Sequence, residues 1–216
     1  MNFTELLNNI SNIVWGPITL TLLLGVGIYL TFGLKAFPIT NISFGFNSLF
    51  KKEKKKSDGD ISSFQSLMTA LSATVGTGNI AGVATAIFLG GPGAIFWMWI
   101  TALFGMATKY CEAFLAIYFR EKNTHGNIIG GPMYYIKNGL DQKYHFLAYF
   151  FAIFGMVAAF GIGNGVQVNS VTQVVNTEFG ISKFFIGLTI SLLVGLVVLG
   201  GIKSIGNIAS KLVPIM

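Results

Sequence analysis

From Ile13 to Leu34 the chain runs 22 residues without one charged side chain. As an α-helix that run is roughly 33 Å long, enough to cross a bilayer's hydrocarbon core of about 30 Å. The rest of the sequence is built the same way. Hydrophobic residues make up 53% and charged residues 10%, whereas soluble domains carry about 25% charged residues. Lipid, not water, is the solvent this surface suits. A cleavable signal peptide would open on basic residues, but Met1 to Asn12 offers only Glu5 among charged side chains.

Five apolar segments follow from the hydropathy pattern. They are Ile13 to Leu34, Ile61 to about Leu89, a third from the Gly90-Gly91-Pro92-Gly93 turn to about Phe119, about His145 to Val175, and Lys183 to about Ile202. A sixth begins near Ile208, and the sequence ends within it at Met216. This ending predicts a fragment of a longer protein, with function belonging to the full chain. Between the spans lie the basic loop Lys51 to Asp60 and the polar stretch Arg120 to Tyr144. The polar stretch holds a short amphipathic piece, Met133 to Leu140, expected along the inner interface through its tyrosines.

The lysines sit in loops between spans, which is how topology charges are placed, not on a basic face suited to nucleic acid. If the Lys51 to Lys56 loop is cytoplasmic, so are all the other basic residues except Lys183. That asymmetry predicts a multi-pass cell-membrane protein with its N-terminus outside. The single cysteine, Cys111, lies in an apolar span and forms no disulfide framework. His125 and His145 stand apart in polar loops without metal-ligand spacing. No nucleophile–base pair or metal cluster points to an enzyme.

The second segment is interrupted at its centre by Ser72-Ala73-Thr74-Val75-Gly76-Thr77-Gly78-Asn79-Ile80-Ala81-Gly82. Gly and Thr are weak helix formers, and at mid-bilayer depth non-helical backbone survives only where protein or water satisfies it. A helix broken there frees amides for a carboxylate and carbonyls for a bare cation. Gly78-x-x-x-Gly82 is also the spacing of close helix packing, so two readings stand. The cost of Asn79 in hydrocarbon and the unbroken run Gly76 to Asn79 favour a break. In the fourth segment Asn164, Gln167 and Ser170 fall at three-residue steps, on one helical face that predicts a wet or bundle-facing surface. Lys109 and Glu112, three apart, are expected to pair as a structural or inner-gate contact, in preference to a proton relay.

Several blocks together resemble the alanine/glycine:cation symporter family. They are Gly59 to Ser62, Ala73 to Ala86, Gly90 to Trp99, Met106 to Tyr110, Gly130 to Tyr135 and Gly200 to Ile205. The resemblance implies sodium-driven uptake of alanine or glycine, with sodium as co-transported ion and no other cofactor. It also implies an all-α fold like that of the bacterial leucine transporter: two inverted five-helix repeats, each opening on a broken helix, preceded by one extra helix.

On that pattern residues 1–50 hold the extra helix and an inner-face segment, 51–60 a basic cytoplasmic loop, and 61–216 most of the first repeat, with the broken helix at 61–89. The second repeat would lie in a missing C-terminal half of the same chain. Thr74, Gly78 and Gln167 fall at substrate-contacting positions, and Gly76 and Thr77 in adjacent unwound backbone. The wider sodium-symporter fold implies one ion site at Asn79 and Thr74 and a second at the carbonyls of Ser72 and Val75. The partners implied are a small amino acid, sodium and the lipid bilayer, without nucleic acid. The alternative reading is a non-transporting helical scaffold or a channel subunit.

Overall fold

The computed structural model describes residues 2–50, 61–124, 126 and 128–216. The basic loop at 51–60, with the Gly59-Asp60 part of the first family-like block, and His125 lie outside those residues.

The first apolar run is part of a longer rod. Helix α1 (Phe3–Val14) and helix α2 (Pro17–Gly33) together make a 30-residue span, Thr4–Gly33. Pro17 occupies the first turn of α2, where its missing N–H costs nothing. The Asn2 N–H donates to Glu5 Oε2 at 3.0 Å at the start of α1. The span therefore begins about nine residues before the expected Ile13, because α1 is amphipathic and its polar residues hid it from a search for uncharged apolar runs. Two short helices follow, α3 (Phe37–Thr40) and α4 (Ile42–Phe50).

Helix α5 (Ser63–Thr74) opens on a reciprocal cap. Ser62 Oγ accepts from the Gln65 N–H at 3.2 Å, and Gln65 Oε1 accepts from the Ser62 N–H at 3.1 Å. After a break come a π turn (Gly78–Gly82) and α6 (Val83–Gly90), bent by 55° from α5. Helix α7 (Gly93–Tyr118) runs 26 residues and packs beside α2. The contact is tight at Gly27, where an added Cβ would sit 3.1 Å from the Phe104 carbonyl oxygen. Small residues at helix contacts are how apolar helices approach closely in lipid.

The polar stretch contains more than the expected amphipathic piece. Strands β1 (Glu121–Lys122) and β2 (Ile128–Ile129) pair antiparallel, and α8 (Pro132–Gly139) follows. This small hairpin departs from the all-α expectation. Asn138 Nδ2 ties α8 to the end of α7, donating to the Phe119 carbonyl at 3.2 Å and to Glu121 Oε1 at 2.7 Å. Lys137 Nζ reaches the same carboxylate at 3.4 Å. The Asn138 bond holds the Glu121 carboxyl below its ordinary value; desolvation opposes the shift and Lys137 adds to it. Burial pushes the Tyr135 hydroxyl up, with Glu112 adding to the shift and Lys109 opposing it.

The fourth span, Gln142–Phe179, is 38 residues long, also longer than expected. It comprises a short 3₁₀ turn (Gln142–Tyr144), α9 (Phe146–Ala158), a π turn (Ala159–Gly165) and α10 (Val166–Phe179). Helix α11 (Lys183–Leu199) ends at Gly200-Gly201, where the chain turns by 119° with Gly201 at φ +68°. Helix α12 (Gly201–Leu212) then packs along α5, so the last helix starts seven residues before the expected Ile208. Glycine supplies the left-handed backbone this turn requires. At the crossing, an added Cβ on Gly206 would meet Ile61 Cγ2 at 3.3 Å and Gln65 Cβ at 3.6 Å.

Among the described residues three helices are long and apolar enough to cross a membrane, or five if each bent pair is one span. Large apolar side chains such as Phe88, Phe154 and Leu196 are exposed along them, while the small buried set includes Ala107, Ala148 and Ala209. Such surfaces suit lipid and neighbouring helices. The molecule is a mostly helical, multi-pass membrane protein.

Candidate functional site

The break between α5 and the π turn is the centre of the site. Thr74 closes α5, Val75 is extended at φ −81° and ψ 111°, and Gly78 begins the π turn. The non-helical backbone is thus Val75 and Gly76, shorter than the expected run Gly76 to Asn79 and one residue earlier, with Thr77 already helical at φ −58° and ψ −27°. The competing packing reading finds no support among the described residues: a Cβ at Gly78 or Gly82 would meet nothing within 4 Å.

The hydrogen bonds explain why the helix stops here. In a continuing helix the amides of Gly76 and Thr77 would close on the carbonyls of Ser72 and Ala73. Instead the Gly76 N–H donates to Asn79 Oδ1 at 3.2 Å, and the Thr77 N–H donates to Gln167 Oε1 at 3.1 Å. The Asn79 N–H bonds the Gly76 carbonyl at 3.1 Å, so the Val75 carbonyl also loses its helical donor. Two side chains, one local and one from α10, thereby take over donors that the helix would have used. The carbonyls of Ser72 and Val75, both named from the sequence as cation ligands, are released from the helical pattern by this exchange.

Hydroxyls flank the break. Thr74 Oγ1 donates back to the Ala70 carbonyl at 2.9 Å, and Ser72 Oγ to the Thr69 carbonyl at 2.7 Å. Each hydroxyl spends its proton inward, which leaves oxygen lone pairs able to face a cation. No group of three or more His, Cys, Asp or Glu side chains able to hold a metal occurs among the described residues. The oxygens around the break belong to neutral carbonyls, hydroxyls and the Asn79 carboxamide, which are hard donors that suit a hard cation better than a soft transition metal.

A cavity of about 500 Å³ opens beside the break. It brings together Val75, Gly76, Thr77 and Gln167, all named from the sequence, with Ser170 on the predicted α10 face. Ser72, Thr74, Gly78 and Asn79 lie outside its lining. So does Asn164, which falls in the π turn that precedes α10. Sequence reasoning missed the apolar wall, including Ile80, Ala81, Val171 and Val174. Those residues read as ordinary membrane-helix side chains, and only the 55° bend shows which of them face the cavity.

Gln167 is held against the break by close packing as well as by its hydrogen bond. A Cβ on Gly76 would stand 3.0 Å from Gln167 Nε2, 3.1 Å from Oε1 and 3.3 Å from Cδ. Glycine at position 76 is thus what lets the carboxamide reach Thr77. Lys109 and Glu112 form a 2.7 Å ion pair on α7, as predicted, in a groove with Leu23 and Leu24 of α2. The pair takes no part in lining the cavity at the break.

Comparison with known proteins places the chain in a family. A family model described as the sodium:alanine symporter family matches residues 1–216. The sodium/alanine symporter AgcS of Methanococcus maripaludis is 52% identical over 219 residues, covering all of this chain and 48% of that protein. An uncharacterized transporter of Haemophilus influenzae is 49% identical over 217 residues, covering all of this chain and 47% of its own length. The probable sodium/glutamine symporter GlnT of Bacillus subtilis is 37% identical over 207 residues, covering 95% of this chain and 42% of that protein. The chain spans about half the length of the curated relatives it matches. With a family match along its whole length and such identity to a sodium/alanine symporter, the chain belongs to the sodium:alanine symporter family.

Proposed function

We propose that the full protein is a sodium-coupled symporter that carries a small neutral amino acid, alanine or glycine, into the cell by alternating access. The observation that carries this reading is the mid-span break whose Thr77 amide is already engaged by a polar group from another helix. An amide N–H that donates to an uncharged oxygen there will donate to a carboxylate oxygen more strongly, since charge-assisted hydrogen bonds are roughly twice as strong as neutral ones. In this reading the substrate contacts are Thr74, Gly76, Thr77, Gly78 and Gln167. Sodium is held by Asn79 and Thr74 and by the carbonyls of Ser72 and Val75. A solute carboxylate beside those oxygens helps ligate the ion, so each ligand raises the other's affinity.

The apolar wall favours a small side chain. Apart from Gln167, Thr77 and Ser170, the cavity is lined by residues such as Val75, Ile80, Val171 and Val175. A hydrogen or methyl group suits those neighbours, whereas a glutamine side chain would bring a carboxamide needing partners of its own. One relative is named for glutamine and another for alanine, so the substrate panel must include both.

We further infer a fold like that of the leucine transporter. Residues 1–50 form the extra helix and inner segment, 51–60 a cytoplasmic loop, and 61–216 most of the first repeat, with the N-terminus outside. The second repeat, from the C-terminal half of the same chain, completes the pocket. The test is uptake by the full-length protein in proteoliposomes, with alanine, glycine and glutamine offered under an imposed sodium gradient. Sodium-dependent alanine or glycine uptake, lost in Asn79→Leu and in Gln167→Leu, is expected. Normal uptake by both variants, correctly inserted, would remove the site assignment.

A further inference from the structure

Gln167 does more at this site than wait for a solute. Its Oε1 accepts from the Thr77 N–H at 3.1 Å, across 90 residues of sequence, at the amide that the proposed function assigns to a solute carboxylate. The carboxamide also packs close to Gly76, where an added Cβ would stand 3.0 to 3.3 Å from three of its atoms. Both features hold a side-chain carbonyl where the proposed function puts a carboxylate oxygen.

We propose that Gln167 is a built-in competitor of the solute: its carboxamide takes the solute carboxylate's place on the Thr77 amide and is displaced when the solute binds. The inference rests on the reading of the break as the solute site, and it adds how that site is emptied and refilled.

Three consequences follow from the chemistry. First, the broken backbone is never left with a bare amide in an apolar setting, since one acceptor replaces the other; an orphaned donor there would cost about 1–3 kcal/mol. Second, exchange lowers affinity relative to an uncontested site by about one neutral hydrogen bond, which eases release on the delivering side. Third, the displaced carboxamide is freed at the moment a zwitterion arrives. Its oxygen can then accept from the solute's ammonium group, which the same oxygen cannot do while it bonds Thr77. A ligand bearing only a carboxylate displaces Gln167 and gains nothing from it afterwards.

That asymmetry supplies the test. Propionate has alanine's carboxylate and methyl group but no ammonium. Purified full-length protein in saturating sodium chloride is titrated with propionate, and the shift in thermal unfolding midpoint gives the affinity. Wild type is compared with Gln167→Asn, whose side chain is one methylene too short to reach Thr77, and with Gly76→Ala, whose methyl group forces the carboxamide off. Propionate affinity is expected to rise about fivefold in both, the equivalent of one neutral hydrogen bond removed from the competition, while alanine uptake falls.

Affinity equal to or weaker than wild type, or no response from any of the proteins, overturns the proposal. Should Gln167→Asn fail to fold, Gly76→Ala decides alone. Sodium-dependent amino-acid uptake by the wild type is measured alongside. If that uptake is absent, the underlying site reading has failed; if it is present while propionate affinity is unchanged, only the competitor role has.

Discussion

Replacing Gly76 with alanine puts the geometry of the break under direct load. The new Cβ would lie 3.0, 3.1 and 3.3 Å from the Nε2, Oε1 and Cδ atoms of Gln167. Carbon and a polar heavy atom rest comfortably at about 3.5 Å, so the carboxamide must retreat by roughly 0.5 Å. The Thr77 N–H to Oε1 distance, 3.1 Å at present, would then pass about 3.5 Å, beyond useful hydrogen-bonding range. Overpacking of this kind costs about 1–3 kcal/mol. Opposing it, Gly→Ala at an unstrained position stabilises by about 0.4–1 kcal/mol through the unfolded chain. The net expectation is a loss of about 1–2 kcal/mol, visible as a lower midpoint of thermal unfolding in detergent-solubilised full-length protein.

The decisive arm is the double variant Gly76→Ala with Gln167→Asn. Shortening the side chain removes the atoms the methyl group strikes, so the alanine should cost nothing further and can even stabilise. A coupling of about 1 kcal/mol or more between the two positions is therefore predicted, as for residues in direct contact. Strict additivity of the two single effects would refute the packing argument, and with it the claim that position 76 must lack a side chain for Gln167 to reach the break.

Other parts of the molecule give sharper local tests. Gly27→Ala should separate α2 from α7, since its Cβ would sit 3.1 Å from the Phe104 carbonyl oxygen and 3.2 Å from Phe104 Cβ, whereas Gly25→Ala meets nothing within 4 Å. Paired melting curves should show a loss of about 1–3 kcal/mol for the first and a neutral or slightly favourable change for the second. The Lys109–Glu112 pair lies on α7 at 2.7 Å and lines no part of the cavity at the break. Neutralising either member should leave sodium-dependent uptake in place; loss of uptake in a stable Lys109→Met protein would instead make the pair functional.

The Glu121 carboxyl is held low by Asn138 and then Lys137. Its contribution to docking α8 is therefore present above the ordinary carboxylate range and lost as pH falls through its depressed value. Hydrogen exchange in α8 should quicken in acid, and Glu121→Gln should abolish that dependence on pH.

What the sequence disclosed and what it hid divide along physical lines. The break was legible because Gly76-Thr77-Gly78-Asn79 combines weak helix formers with polar atoms at a depth where neither is free of cost. Gln167 was legible as a polar side chain on an apolar span. The bend at Gly200-Gly201 was hidden because hydropathy reports solvent preference: it marks the passage from apolar α11 to amphipathic α12 but not the 119° change in direction. The hairpin at Glu121 and Ile129 was hidden because two-residue strands are too short to show alternation. The π turn that holds Asn164 was hidden, because a run of Gly and Asn shows weak helix propensity but not which hydrogen-bond step the backbone takes. The valines of α10 gave no signal, since a pocket wall and a lipid-facing stripe are made of the same side chains.

A density map of the full-length protein with sodium and alanine bound would test the account most directly. It predicts a carboxylate oxygen about 3 Å from the Thr77 nitrogen, an ion among the Ser72, Thr74, Val75 and Asn79 oxygens, and Gln167 swung off the amide. A continuous helix through Val75 to Thr77, or alanine bound elsewhere with Gln167 still on Thr77, would contradict it.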